Sequence, residues 1–324
     1  MARLNLRGTV ARVRSAGQLR RVLACLGGFG IALGLLLRFY AAPALIVAPA
    51  GYYGQQSLSA SRATYFDQKT FTTRKNARLT DVNTVRGDAA AATASTVTWD
   101  SYSYLRDPKR DETLSTTYER AVFDRRTGEM KDCCGAAVND DPRIREYGVS
   151  GLFWPIGTGK TTYLLYDTNT ERAWPAVYSG TAMVRGILTY KYVQRVPSTV
   201  VQKMPGIPMS LLGVPGASYN VTANRTFSSV NTFWVDPRTG VPVNIEEEVD
   251  SALTDPAGIG SRTMVRGDFR LSSSSQATLA SMANVTAAEV GFLRVSGPAG
   301  GIGLGVVALL AAVAPWPRRR APRS

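Results

Sequence analysis

The chain has 324 residues, 44% of them hydrophobic and 19% charged, which excludes wholesale disorder and leaves room for one large domain or two ordinary ones. It contains no histidine and three cysteines. That excludes Ser-His-Asp, Cys-His and HExxH chemistry, imidazole metal ligands, a four-cysteine zinc site and a disulfide-dense scaffold. The net charge of +14 invites a nucleic-acid reading, but its placement argues otherwise. Arg3, Arg7, Arg12, Arg14, Arg20 and Arg21 crowd one end and Arg318, Arg319, Arg320 and Arg323 the other, leaving 28 basic against 24 acidic residues between. No nucleic-acid partner is expected.

Residues 1–21 form a basic segment without an acid. Val22–Leu37 follows, free of charge. At ~1.5 Å per residue it spans ~24 Å, short of a ~30 Å hydrocarbon core. Snorkelling by Arg21 and Arg38, with Phe39 and Tyr40 at the interface, covers the deficit. A transmembrane helix is predicted over 22–43, ended by Pro43. A cleaved signal peptide is the rival reading, with small residues at Ala41 and Ala42, but Arg38 sits where a cleavage region should be clean. Gly30 and Gly34 are four apart, a spacing that lets helix backbones approach closely in lipid.

Residues 44–275 read as a β-rich extracytoplasmic domain. Thr96–Leu105 and Leu114–Phe123 are strands, the second running into Asp124-Arg-Arg-Thr-Gly128. Trp174–Val184 and Ile187–Val196 flank Arg185-Gly186 as a hairpin. Phe227–Val235 runs into Asp236-Pro-Arg-Thr-Gly240 and then Val241–Val249. The two D-x-R-T-G turns share a chemistry: Asp opens the turn with its side chain and Gly supplies positive φ. Between the hairpins, Ser198–Tyr219 holds Pro205, Pro208 and Pro215 among Met and Leu, and is expected to be an irregular loop folded onto the core, with a membrane-facing or ligand-covering loop as the rival reading.

Other motifs in this stretch carry bland readings. Gly157-Thr-Gly-Lys160-Thr161 resembles the end of a phosphate loop, but Trp154 stands where the first glycine belongs and Tyr163–Tyr166 reads as strand. Lys160 beside Thr161 is the nearest thing to a catalytic dyad. Arg86-Gly87-Asp88 and Arg266-Gly267-Asp268 are triplets that arise readily at turns. Alternation puts two of Glu246-Glu247-Glu248 on one strand face and one on the other, and a solvated strand edge is expected. Cys133 and Cys134 are candidates for a vicinal disulfide, strained because adjacent Cα atoms sit only ~3.8 Å apart.

Residues 276–294 form a helical linker, with Leu279, Met282 and Val285 at helical spacing. The next run, Ala299–Trp316, is uncharged, and a second transmembrane helix is predicted over 295–317, with Trp316 as interface anchor and a basic tail over 318–324. Gly301 and Gly305 repeat the spacing of Gly30 and Gly34, so the two helices are candidates to pair. Arginines at both outer ends put both termini in the cytoplasm and the middle outside the plasma membrane.

The exit Leu37-Arg-Phe-Tyr40, with Ala63-Thr-Tyr-Phe-Asp67, Val85-Arg-Gly-Asp88, Val122-Phe-Asp-Arg-Arg-Thr-Gly128, Cys133-Cys134-Gly135, Gly151-Leu-Phe-Trp-Pro155 and Trp234-Val-Asp-Pro-Arg-Thr-Gly240, resembles an actinobacterial family of two-span membrane proteins, the porin PorA family. The resemblance covers nearly the whole chain. It implies a mycolate-type or related Gram-positive envelope and brings no catalytic residues. The expected fold is membrane-anchored α+β, with a curved antiparallel sheet, sandwich or half-barrel between two transmembrane helices. The expected role is non-enzymatic, without cofactor or metal: an envelope protein whose external domain binds a hydrophobic or envelope-derived ligand or a partner protein. The alternative is a subunit of an oligomeric pore. A single chain with two helices encloses no aqueous channel, and strands bearing charges throughout do not suit a lipid-facing barrel. Its partners are then the lipid bilayer, a lipid or envelope ligand, and further copies of the chain.

Overall fold

Leu6–Leu36 forms the first helix, α1, which passes through a π-helical turn at Leu37–Ala41 into the short helix α2 (Ala42–Leu45). The computed structural model describes residues 6–314, with side chains from residue 17 onward. Arg3, Trp316 and the tail arginines Arg318, Arg319, Arg320 and Arg323 lie outside the described residues. The chain divides into two compact units, residues 1–46 with 287–324, and residues 47–286.

In the helical unit Pro43 does not end the helix as predicted. The helix runs on to Leu45, and Pro43 sits just past the π-helical turn, a local adjustment by which a helix accommodates the missing N–H of proline. On the other side of this unit a second π-helical turn, Phe292–Ser296, leads into α4 (Gly297–Val313). α1 and α4 pack backbone to backbone. A Cβ on Gly30 would lie 2.9 Å from the Gly301 carbonyl oxygen, and one on Gly34 2.8 Å from that of Pro298. Conversely, a Cβ on Gly301 would meet the Gly30 oxygen at 3.0 Å, and one on Gly305 the Gly27 oxygen at 2.6 Å. Arginines complete the crossing: Arg38 donates to the Arg294 carbonyl at 2.9 Å and Arg20 to that of Ala314 at 3.0 Å. Ala314 follows the last turn of α4, where carbonyls lack helical donors. The stretches Gly17–Leu45 and Ser273–Val313 are each long and apolar enough to cross a membrane.

The second unit is one antiparallel sheet of eleven strands. They are β1 (Tyr53–Asp67), β2 (Thr72–Gly87), β3 (Thr96–Asp107), β4 (Glu112–Asp124), β5 (Ala137–Val138), β6 (Tyr163–Asp167), β7 (Arg172–Val184), β8 (Ile187–Pro208), β9 (Asn220–Val235), β10 (Pro242–Thr254) and β11 (Ser261–Leu271). Their order, β5-β4-β3-β2-β1-β11-β10-β9-β8-β7-β6, is two meanders joined at a β1–β11 seam. The sheet curls into a half-barrel.

Its two edges are linked by loop backbone. Lys131 N donates to Val122 O at 2.7 Å, Met130 N to Gly148 O at 2.8 Å, Ser150 N to Gly128 O at 2.8 Å and Tyr166 N to Val149 O at 2.9 Å. Hydrogen bonding therefore runs from β4 through residues 128–131 and 148–150 to β6. This occupies strand edges that would otherwise invite pairing with another chain.

The hairpins share one turn chemistry, more widely than the two D-x-R-T-G matches suggest. Asp67, Asp107, Asp124, Asp167 and Asp236 each accept backbone N–H groups two or three residues on. The residue four beyond each Asp has positive φ: Phe71, Asp111, Gly128, Glu171 and Gly240.

The strand β8 corrects the expectation of an irregular loop from Ser198. It runs to Pro208 because beyond Gln194 it pairs with β9 alone. Pro197 and Pro205 fall on this one-sided stretch, and bulges shift the register beside them. Proline is tolerated on such an edge because no ladder bond is lost. The rest of the segment folds back, burying Met209 and Leu212 against Ala223 and Leu253. The helix α3 (Ser273–Gly291) starts with the Ser272 hydroxyl accepting from Ser275 N at 3.2 Å, a conventional N-cap. Leu279, Ala280 and Ala283 on it join the main core with Leu58, Tyr65, Tyr192 and Phe269.

Candidate functional site

Alternation along the strands sends every second side chain to the concave face. On β10, Ile245, Glu247, Val249 and Ser251 point inward, so Glu246, Glu248 and Asp250 face outward. Beside them on β11, Arg266, Asp268 and Arg270 are exposed, and Arg266 holds Asp250 at 2.7 Å. A lipid-facing barrel wall does not carry six charges on two neighbouring strands, since each costs ~2–4 kcal/mol near the bilayer midplane for basic residues and less for acids. Over β10 and β11 the outer face of the sheet is a water face.

The concave face is apolar where the main core fills it, yet encloses a polar hollow of about 280 Å³. Four carboxyl groups line it: Asp81 on β2, Glu119 on β4, Asp167 at the end of β6 and Glu247 on β10. Arg225 on β9 is the sole basic residue among the lining side chains. Amides and hydroxyls fill the spaces between. Asn231 Nδ2 donates to Gln194 Oε1 at 3.0 Å, Gln194 Nε2 to the Leu165 carbonyl at 2.9 Å, and Asn83 Nδ2 to Ser101 Oγ at 2.8 Å. These bonds fix the lining amides and tie β8 to β6.

The curl brings together carboxyls from strands far apart in sheet order. Burial raises Glu247 to about 8, with Asp81 and Asp167 adding to the effect. Burial, then the charge of Asp167, raises Glu119 to about 7. Burial alone raises Asp81 to about 6. Asp167 is also raised by burial, against the hydrogen bonds from Thr170 that favour its charged form. Close by lies Glu146, 2% exposed with neither carboxyl oxygen hydrogen-bonded. Burial, Glu119 and Asp132 raise it to about 8. Like charges held together in a partly dry enclosure disfavour one another's ionisation.

The residues singled out by sequence lie elsewhere. Cys133 and Cys134 form a vicinal disulfide in an exposed turn, where Cys134 has φ +60 and Ala136 N donates to the Cys133 carbonyl at 3.0 Å. Cys25 is a free thiol in α1. Gly30, Gly34, Gly301 and Gly305 lie at the α1–α4 crossing. The segment resembling a phosphate loop leads into β6 rather than a helix, and Lys160 sits over the rings of Tyr190 and Tyr178, at 5.3 and 5.9 Å. Asp88 of the first Arg-Gly-Asp triplet is bound to Arg120 at 2.6 Å. Arg266 of the second is bound to Asp250.

Glu246-Glu247-Glu248 departs from its expected place on a strand edge. It lies on a central strand, with Glu247 alone turned into the hollow. The hollow itself went unnoticed in sequence. Its signal is that strands polar on their outward positions are polar on inward ones too, as in Ser101 and Ser103, or Ser115, Thr117 and Glu119. A packed sandwich does not use that pattern.

No curated protein matches the chain. A family model described as Porin PorA matches residues 20–314, and the chain belongs to that family.

Proposed function

We propose that this is a plasma-membrane protein of the cell envelope that handles small polar solutes as a subunit of an oligomeric, porin-type assembly. In this reading the two apolar stretches cross the bilayer, with both termini cytoplasmic and the sheet outside. The carrying observation is the polar, carboxylate-rich concave face. Such a lining suits a hydrated solute and gives no support to the hydrophobic ligand expected from sequence. Family membership adds the expectation of a pore. The charged outer face argues that a conduit would form from helices of several copies rather than from one sheet in lipid.

The test is conductance of the full-length protein reconstituted in planar bilayers. Discrete conductance steps that grow steeply with protein density are expected. A bilayer that stays silent at high density, with incorporation verified, would overturn the pore reading.

A further inference from the structure

The charge and shape of the hollow say what kind of solute it takes. Its wall carries four carboxyls against one guanidinium. Glu119 stands out among them: it is 6% exposed and lines the hollow. Among the described residues no hydrogen bond or ion pair reaches its carboxylate. Asn83 Oδ1 and Arg225 Nε, in side chains that also line the hollow, are buried without a partner. A buried carboxylate left unpaired is costly; it is relieved by keeping a proton, as the raised Glu119 does at neutral pH, or, once ionised, by a donor that carries positive charge.

The carboxyls do not converge. Among the described residues no three acidic or cysteine side chains are close enough to hold a metal ion. They come from β2, β4, β6 and β10, near enough for Asp81 and Asp167 to act on Glu247 and for Asp167 to act on Glu119, but not gathered at one point. That arrangement suits an extended molecule with more than one donor rather than a point ion. At about 280 Å³ the hollow has room for a small organic molecule.

Building on the solute-handling reading above, we infer that the hollow is a binding site for a small organic cation bearing ammonium groups, anchored by Glu119 on one side and Glu247 on the other. Asn83 Oδ1 and the remaining lining hydroxyls supply acceptors between the two anchors. Arg225, on β9 beside Glu247's strand, opposes the cation and limits its affinity.

Titration calorimetry on the detergent-solubilised full chain at pH 8.5, with 1,4-diaminobutane as probe and 1,4-butanediol as its neutral counterpart, tests this. The diamine is expected to bind saturably and at least tenfold more tightly than the diol. Glu119→Gln and Glu247→Gln should each weaken the diamine about tenfold or more, and Arg225→Gln should tighten it. Tryptophan fluorescence of each variant, compared with the wild type, establishes that it is folded. Absence of saturable diamine binding, equal binding of diol and diamine, or wild-type affinity in both Gln variants would overturn the inference. Conductance without diamine binding would refute the cation site and leave the pore reading standing. Diamine binding by a protein silent in bilayers would do the reverse.

Discussion

Replacing Glu247 with glutamine should make the protein more stable, by an amount that grows as pH rises from about 4.5 to about 8. Glu247 is lifted from 4.5 to about 8, so between those values the folded protein keeps a proton that the unfolded chain has already lost. Stability therefore falls as pH rises through that window and levels off above it. At ~1.4 kcal/mol per pH unit, an isolated group would cost up to about 5 kcal/mol. The hollow is open to water, and the repulsion is shared with Asp81 and Asp167, which themselves titrate, so about 2 kcal/mol is the realistic effect. Glutamine mimics the protonated acid. The variant should match wild type at pH 4.5 and exceed it by about 2 kcal/mol at pH 8.5. For a unit of this size that is roughly 4–8 °C in melting temperature. Trp99, Trp154, Trp174 and Trp234 all lie in the sheet unit, so fluorescence-detected melting of the full chain reports on it. Parallel pH profiles for variant and wild type, or a variant less stable at pH 8.5, would refute the argument that burial, with the charges of Asp81 and Asp167, disfavours the ionised form of Glu247.

Other substitutions probe other parts of the chain. Gly30→Leu drives a side chain into the Gly301 carbonyl and should lower stability by about 1–3 kcal/mol, read as a drop in the melting temperature of the detergent-solubilised protein; an unchanged value would count against the backbone contact. Asp236 is fully buried, accepts from Arg238 N at 2.9 Å and pairs with the Arg238 side chain at 2.8 Å, so Asp236→Ala should cost about 3 kcal/mol in urea unfolding. Glu171, exposed with φ +53, holds a backbone conformation that suits glycine; Glu171→Gly should gain about 0.5 kcal/mol in the same assay.

The helices, the antiparallel sheet and the D-x-R-T-G turns were legible because each rests on local chemistry: uncharged runs, alternation and Asp-opened turns. Three things were not. The turns at Asp67, Asp107 and Asp167 lack the final glycine, because Phe71, Asp111 and Glu171 tolerate positive φ where tertiary pairing holds the strands, and so the shared design was hidden. Pro205 and Pro208 suggested a loop because sequence does not show that β8 outgrows β7 and leaves one side unpaired. The hollow was invisible because its members come from strands that meet only through curvature. Glu119 and Glu247 are 128 positions apart, and nothing local to either reveals that both face the same space.

The β1–β11 seam has a consequence for how the chain folds. Every other strand pair joins neighbours in sequence, so each meander can zip from its own hairpins. Among the strand pairs the seam alone unites segments about two hundred residues apart, a closure that is slow for entropic reasons. During synthesis the β1 edge must wait, unpaired, until nearly all of the chain has emerged. That interval is when a neighbouring nascent copy could take β11's place, making this line the weak point for strand-swapped dimers.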